Sequence, residues 1–294
     1  MTLKKKRMNR ESYLEQLDRE KEKLCLAASD PLRLKYHLQP PMGWLNDPNG
    51  LCQKDGVYHI YHQYVPFYPE ICSVLWGHVT TRDFIHYEVQ EPAIYPDTDR
   101  DQNGVYSGCA FRKDETLYIY YTGNVRHEGQ DYDYVNRGRE QNTILTTTED
   151  GFHFTEKQLL MRNEDYPSDL SLHVRDPKVF EENGRYYMIL GARDLDAHGS
   201  VLLFESGDLL TWTYRLRFTT EKAFGYMWEC PNYLRAGGRR FLIACPQECQ
   251  ETEAGMVKEN RCGYFPLEYG FDGGTDYRLG EYRTLDRGFD FYAP

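Results

Sequence analysis

Three carboxylates sit in segments whose neighbours suit acid–base and nucleophilic chemistry. The first is Asp47, in His37-Leu38-Gln39-Pro40-Pro41-Met42-Gly43-Trp44-Leu45-Asn46-Asp47-Pro48-Asn49-Gly50. Pro48 lacks a backbone donor, fixes its own φ and biases Asp47 away from the helical region. Asn49-Gly50 is a turn pair, and a strand-like pattern resumes at Val57, His59 and Tyr61. Asp47 is therefore expected at the start of a strand, just before a tight turn, where a carboxylate can point into a cleft. Taken alone, the same residues also read as a surface turn. His173-Val174-Arg175-Asp176-Pro177 repeats the Asp-Pro arrangement, and Tyr226-Met227-Trp228-Glu229-Cys230-Pro231-Asn232 sets a third carboxylate among aromatic and apolar residues. A carboxylate that stays ionised needs donors, which Asn46 can supply to Asp47. An apolar setting favours the protonated form of a carboxyl, and Glu229 is expected in one. Arg175 can keep Asp176 ionised and oriented.

These three segments, long, ordered and well separated, resemble the motifs of the invertase and sucrose-6-phosphate hydrolase family, glycoside hydrolase family 32. The resemblance runs from Tyr36 to Pro294. It implies retaining hydrolysis of terminal β-D-fructofuranosides, with Asp47 as nucleophile, Glu229 as general acid/base and Asp176 binding fructosyl hydroxyls and stabilising the transition state. Cleavage of this kind uses two carboxyl groups, one protonating the leaving oxygen and one acting at the anomeric carbon. It also implies a substrate shell of Trp44, Asn46, Gln63, Trp76, Ser107 and Arg175. Trp76 is expected to stack on the sugar or wall the pocket, with a blade-core role as the alternative. Val65 stands where the family usually has Asn. No cofactor and no metal are implied.

Composition narrows the classes. Lys and Arg number 35 against 46 Asp and Glu, a net charge of −11, which argues against a nucleic-acid partner. No apolar run approaches the roughly 18 residues of a membrane span, and the basic start Lys4-Lys5-Lys6 is not followed by an apolar stretch, so no secretory signal is expected. Eight cysteines in a chain of 294 residues make no disulfide scaffold; reduced thiols and a cytoplasmic location are expected. Cys245-Pro246-Gln247-Glu248-Cys249 has a zinc-like spacing but no matching second pair nearby. His78, His173 and His198 are scattered and are expected to pack or hydrogen-bond. Arg126, His127, Arg137 and Arg139 read either as a basic rim for a phosphate or as solvated loop charges.

The elements that must position the carboxylates are mostly strands. Asn9 to Ala28 predicts a helix, with Leu14, Leu17, Leu24 and Cys25 near one face. It is expected to pack outside the main domain, a homo-oligomer contact being the alternative. From Gly43, four sets of about four short β-rich runs recur every ~50 residues, the texture of propeller blades. Lys54-Asp55-Gly56, Lys113-Asp114-Glu115, Glu182-Asn183-Gly184 and Ala236-Gly237-Gly238 separate the first two strands of each set. The innermost strands are expected to open at Gly50, Val105, Lys178 and Asn232, and the outermost runs at Phe154–Leu159 in the second set and Tyr282–Leu285 in the fourth. The fold class expected is all-β, a five-bladed propeller with about four blades and the start of a fifth. Residues 1–35 form a helical extension and 36–294 an incomplete propeller. The family resemblance implies a complete fifth blade and a C-terminal β-sandwich beyond Asp286–Pro294, so a fragment of a longer polypeptide is expected. An inverting five-bladed glycosidase, a fructosyltransferase and an inactive carbohydrate-binding fragment remain alternatives.

Overall fold

Local turn chemistry produces the repeating unit. Asp55-Gly56, Asn183-Gly184 and Gly237-Gly238 each hold two consecutive residues at positive φ, the geometry whose twist matches antiparallel strands. Asp114, at φ 54°, opens the equivalent turn of the second set. The structure, a computed structural model, describes residues 7–249, 260–288 and 291–294.

Four antiparallel blades result. Blade one is β1 (Trp44–Lys54), β2 (Val57–Val65), β3 (Leu75–Thr81) and β4 (Tyr87–Ile94). Blade two is β5 (Val105–Lys113), β6 (Thr116–Arg126), β7 (Arg139–Thr148) and β8 (Gln158–Met161). Blade three is β9 (Leu170–Glu182), β10 (Arg185–Asp194), β11 (Gly199–Ser206) and β12 (Thr213–Phe218). Blade four is β13 (Met227–Ala236), β14 (Arg239–Gln247), β15 (Gly263–Tyr269) and β16 (Tyr277–Leu279), with β17 (Arg283–Thr284) pairing a second stretch of β15. The innermost strands β1, β5, β9 and β13 stand side by side in that order. Ala293 reaches the central channel that they line, which gives the arc the beginning of a fifth member.

The core lies between blades, and one latch repeats. The Tyr61 hydroxyl donates to the Gly151 carbonyl, Tyr120 to Leu209 and Tyr187 to Phe271, at 2.8, 2.8 and 3.3 Å. Each acceptor residue lies on the next blade at positive φ, so its carbonyl turns back toward the preceding one. Asp83, Asp150 and Asp208 brace equivalent outer turns, each Oδ1 accepting two backbone N–H groups. After two of these turns an aromatic packs on the preceding blade, Phe154 against Tyr61 and Trp212 against Tyr120.

Several boundaries differ from expectation. The single helix is two, α1 (Arg10–Arg19) and α2 (Lys21–Ala28), broken at Glu20. Tyr13, lodged 5.7 Å from Phe67 and 5.8 Å from Tyr95, orients α1. Burial of that ring on blade one turns Leu14 outward and leaves Cys25 exposed. Phe154 lies in irregular chain, and the last run of blade two starts at Gln158. In blade four Tyr277, whose ring meets Phe218, occupies the outermost strand, and Tyr282 packs on Phe224 instead. Asn49-Gly50 is no turn but a bulge within β1. Asn49 is buried and its Oδ1 accepts the Gly108 N–H at 3.1 Å, so contact with blade two outweighs the local turn preference. No helix among the described residues is long and apolar enough to cross a membrane.

Blade one also buries imidazoles. His59 Nδ1 and His78 Nε2 are 3.0 Å apart. Burial, with His59 and His62 nearby, depresses His78 to about 3, and burial depresses His62 to about 4. The unfolded chain takes up protons near pH 6.5 that the fold refuses, so this contribution is complete above 6.5 and is lost as pH falls toward the folded values. In thermal melts between pH 7 and 4, His78→Gln is expected to lose less stability than the unaltered protein, by on the order of 2–3 kcal/mol. Parallel curves would contradict this. Comparing the two proteins cancels the carboxylates that titrate in the same range.

Candidate active site

A bulge interrupts each innermost strand at the level of the motifs. Register slips between Leu45 and Pro48, Val105 and Gly108, Arg175 and Lys178, and Glu229 and Asn232. A bulge sets two residues against one, bends the strand and re-aims a side chain. Asp176 and Cys230 take φ of 62° and 45° there, a conformation that side chains rarely adopt and that packing must hold. Close approach of the blades matters equally: a Cβ on Gly191 of blade three would stand 2.1 Å from the Trp228 carbonyl of blade four. The motifs therefore lie inside the innermost strands, which begin earlier than expected, at Trp44, Leu170 and Met227.

The bulges bring the three carboxylates together. Ser107 Oγ donates to Asp47 Oδ2 at 2.5 Å, and Gln63 Nε2 lies 2.5 Å from that hydroxyl and 3.4 Å from Oδ2. The Cys230 thiol lies 3.6 Å from Asp47 Oδ2 and 3.8 Å from Asp176 Oδ2, and the Cys230 N–H donates to Asp176 Oδ2 at 3.0 Å. Arg175 grips Glu229 Oε1 through Nη2 at 2.5 Å and Nε at 3.2 Å, and its Nε is 3.8 Å from Asp176. Gln247 Nε2 and the Tyr292 hydroxyl donate to Glu229 Oε2 at 2.6 and 2.7 Å. Neutral His173, depressed to about 3 by burial and by Arg175, Arg139 and Arg193, accepts from Arg175 Nη1 at 2.7 Å.

The charges follow from this crowding. Burial raises the Asp47 carboxyl and Glu229 raises it further, while Ser107 and Cys230 pull it down. Burial raises Asp176 to about 7, with Glu229 and Asp47 adding to the rise and Arg175 opposing it. Burial together with these anions lifts the Cys230 thiol well above its ordinary value, so it remains a neutral S–H.

Not every expected residue takes its expected part. Gln63, Ser107 and Arg175 are buried around the carboxylates. Asn46 is exposed and lines an outer groove with Leu51 and Tyr87; the donors to Asp47 come from Ser107, Gln63 and Cys230 instead. Trp44 is half-exposed at the rim. Trp76 has no exposed surface and packs between Tyr61 and Tyr121, its Nε1 donating to the Tyr106 carbonyl. It supports the wall from behind and offers no face for stacking. Arg175 bonds Glu229 more closely than Asp176 because the bulge swings it toward blade four. Glu229 lies among polar groups rather than apolar ones, since Trp228 alternates away to stack on Phe265. Cys230, Gln247 and Tyr292 were not singled out in the sequence. Cys230 lies within the third motif and bordered the signal; Gln247 and Tyr292 reach Glu229 only across strands.

The model for the glycosyl hydrolases family 32 N-terminal domain matches residues 37–294. The chain belongs to this family. Sucrose-6-phosphate hydrolase of Bacillus subtilis (strain 168) is 37% identical over 274 residues, covering 92% of this chain and 55% of the relative. Sucrose-6-phosphate hydrolase of Klebsiella pneumoniae is 36% identical, covering 91% and 56%. Among solved structures, sucrose-6-phosphate hydrolase from Lactobacillus gasseri superposes with a TM-score of 0.82 at 30% identity, over 98% of this chain and 57% of that one. A family 32 β-fructofuranosidase of Bombyx mori superposes at 0.79 and 27% identity, over 97% and 59%. The chain thus spans about half the length of the curated relatives it matches.

In this family 32 chain the Asp176 carboxyl opposes folding when ionised. Its raised folded value means that stability is lost as pH rises from the ordinary carboxylate range through about 7. Asp176→Asn is expected to raise the thermal midpoint, more at pH 8 than at pH 5, where the native carboxyl is already protonated, by roughly 1–3 kcal/mol at the higher pH. A loss of stability at pH 8 would show that Arg175 outweighs the burial and repulsion.

Proposed function

We propose that the protein hydrolyses terminal β-D-fructofuranosides, sucrose or sucrose 6-phosphate, with retention at the anomeric carbon. The observation that carries the reading is the convergence of Asp47, Asp176 and Glu229 from three blades, linked through the Cys230 thiol and the Arg175 guanidinium. The names of the relatives agree with it. Localisation in the cytoplasm is part of the proposal, supported by the exposed free thiols of Cys25 and Cys72. So is a division into a helical extension, residues 1–35, and a propeller from residue 36.

The geometry supports a division of labour. Ser107, Gln63 and Cys230 all approach Oδ2 of Asp47. Oδ1 is left for attack on the anomeric carbon, forming a fructosyl–enzyme ester as the glycosidic C–O bond breaks. Glu229 gives its proton to the departing oxygen, then takes one from the water that cleaves the ester. Asp176, anchored through Oδ2, keeps Oδ1 for fructosyl hydroxyls. Arg175 holds Glu229 and Asp176 in register and balances the charge that moves between them.

Asp47→Asn and Glu229→Gln are expected to cut kcat at least about 10²–10⁴-fold, the usual weight of a positioned acid, base or nucleophile. Near-normal turnover in either variant would remove that residue's role. The first anomer released, followed by nuclear magnetic resonance, is expected to be β-fructofuranose. Initial α-product would mean inversion and a carboxylate acting through water instead.

A further inference from the structure

Two arginines, one beside His173 and one over the Tyr226 ring, hold buried guanidinium nitrogens that are only partly used. Nε and Nη1 of Arg193, on β10, are buried and meet no hydrogen-bond partner among the described residues. Arg139, at the start of β7, is nine-tenths buried, and its Nε is likewise unsatisfied. Buried donors without acceptors cost free energy, and several at one place ask for a ligand. Both arginines lie toward the ends of their blades at which the innermost strands begin. Arg139 Nη1 is 3.1 Å from His173, the imidazole that also accepts from Arg175. Arg193 lies 5.7 Å over the Tyr226 ring, three residues ahead of Glu229 on the chain. Burial, and after it the charges of Arg175, Arg139 and Arg193, hold His173 neutral.

A recess of about 460 Å³ adjoins them, lined by Arg193, His198, Tyr226, Asp196 and Glu248 among others. Its chemistry is mixed. Guanidinium donors suit an anion, the Tyr226 ring suits the face of a sugar, and the carboxylates suit sugar hydroxyls. A bare anion would not use the last two.

The position decides which half of a substrate would come here. Glu229 protonates the leaving oxygen, so the leaving group lies on its side of the site. We propose that Arg193, with Arg139 behind it, binds a phosphomonoester on the leaving group, and so sets a preference for sucrose 6-phosphate over sucrose. This rests on the fructosidase reading above and adds the residues that would discriminate between its two substrates. A phosphomonoester carries nearly two charges at neutral pH, and arginine matches its oxygens with paired N–H donors. Of the basic rim legible in the sequence, only Arg139 takes part. Arg126 lies over the Tyr134 ring, His127 pairs with Glu140, and Arg137 is exposed. Arg193 carried no signal in the sequence, because nothing local distinguishes an arginine that will lack a partner.

The test separates binding from turnover, using the polypeptide in its full natural length. Affinities for glucose 6-phosphate and glucose would be measured by calorimetry near neutral pH, with kcat/KM for sucrose 6-phosphate and sucrose alongside. Glucose 6-phosphate is expected to bind about tenfold or more tightly than glucose. Arg193→Gln is expected to abolish that preference and to lower the ratio of the two kcat/KM values by about tenfold, while Arg193→Lys keeps part of it. A preference that survives both Arg193→Gln and Arg139→Gln would overturn the proposal. So would equal affinity for the two sugars in the natural protein, or an equal loss on both substrates, which would mark a structural role. Tight binding of inorganic phosphate with no gain for glucose 6-phosphate would also overturn it, since the ion site would then lie off the sugar's path. If neither sucrose is cleaved yet the Arg193-dependent preference remains, the hydrolase reading fails and the phosphate site stands.

Discussion

Arg175 is the interaction on which the rest of the site depends. Three carboxylates are drawn into one funnel, and burial together with their mutual repulsion raises both Asp47 and Asp176. The buried Arg175 guanidinium touches two of the three. Burial alone would lower its charge affinity, yet Glu229 and Asp176 hold it protonated well above its ordinary value. A buried cation with two anionic partners is costly to leave unpaired. The arrangement therefore persists only while blades three and four stay in contact.

That contact is built from strand irregularities and not from regular pairing. A perfectly paired innermost strand would alternate its side chains between the two faces of its blade. The bulge in each strand breaks the alternation and lets Asp47, Ser107, Asp176 and Cys230 meet around one axis. The positive φ at Asp176 and Cys230 is local strain retained for the sake of the site. The Asp176 N–H, donating to Thr122 Oγ1 of blade two at 2.9 Å, is among the bonds that hold the strained segment.

Repetition carries the load between blades. The tyrosine latch recurs three times with the same chemistry, a hydroxyl from a second strand reaching a positive-φ carbonyl on the next blade. Phe84 occupies the corresponding positive-φ turn of blade one, but its carbonyl accepts Tyr87 from within the same blade. Half its side chain is exposed. The helices pack on blade one through Tyr13, which meets Phe67 and Tyr95.

Much of this was determined by the sequence alone. The four hairpin turns, the ~50-residue period, the three carboxylate segments and the family they resemble are all local patterns, set by residues within a few positions of one another. Tertiary structure decided the remainder. It placed Asn49-Gly50 inside a strand, moved Trp76 wholly behind the wall, gave Arg175 to Glu229, and brought Gln247 and Tyr292 to the same carboxylate. It also left two donors of Arg193 without partners among the described residues. These outcomes depend on distances across blades, which follow from bulge positions and packing between sheets. No window of sequence contains both sides of such a contact, and local preferences yield to it whenever burial or charge pairing is worth more.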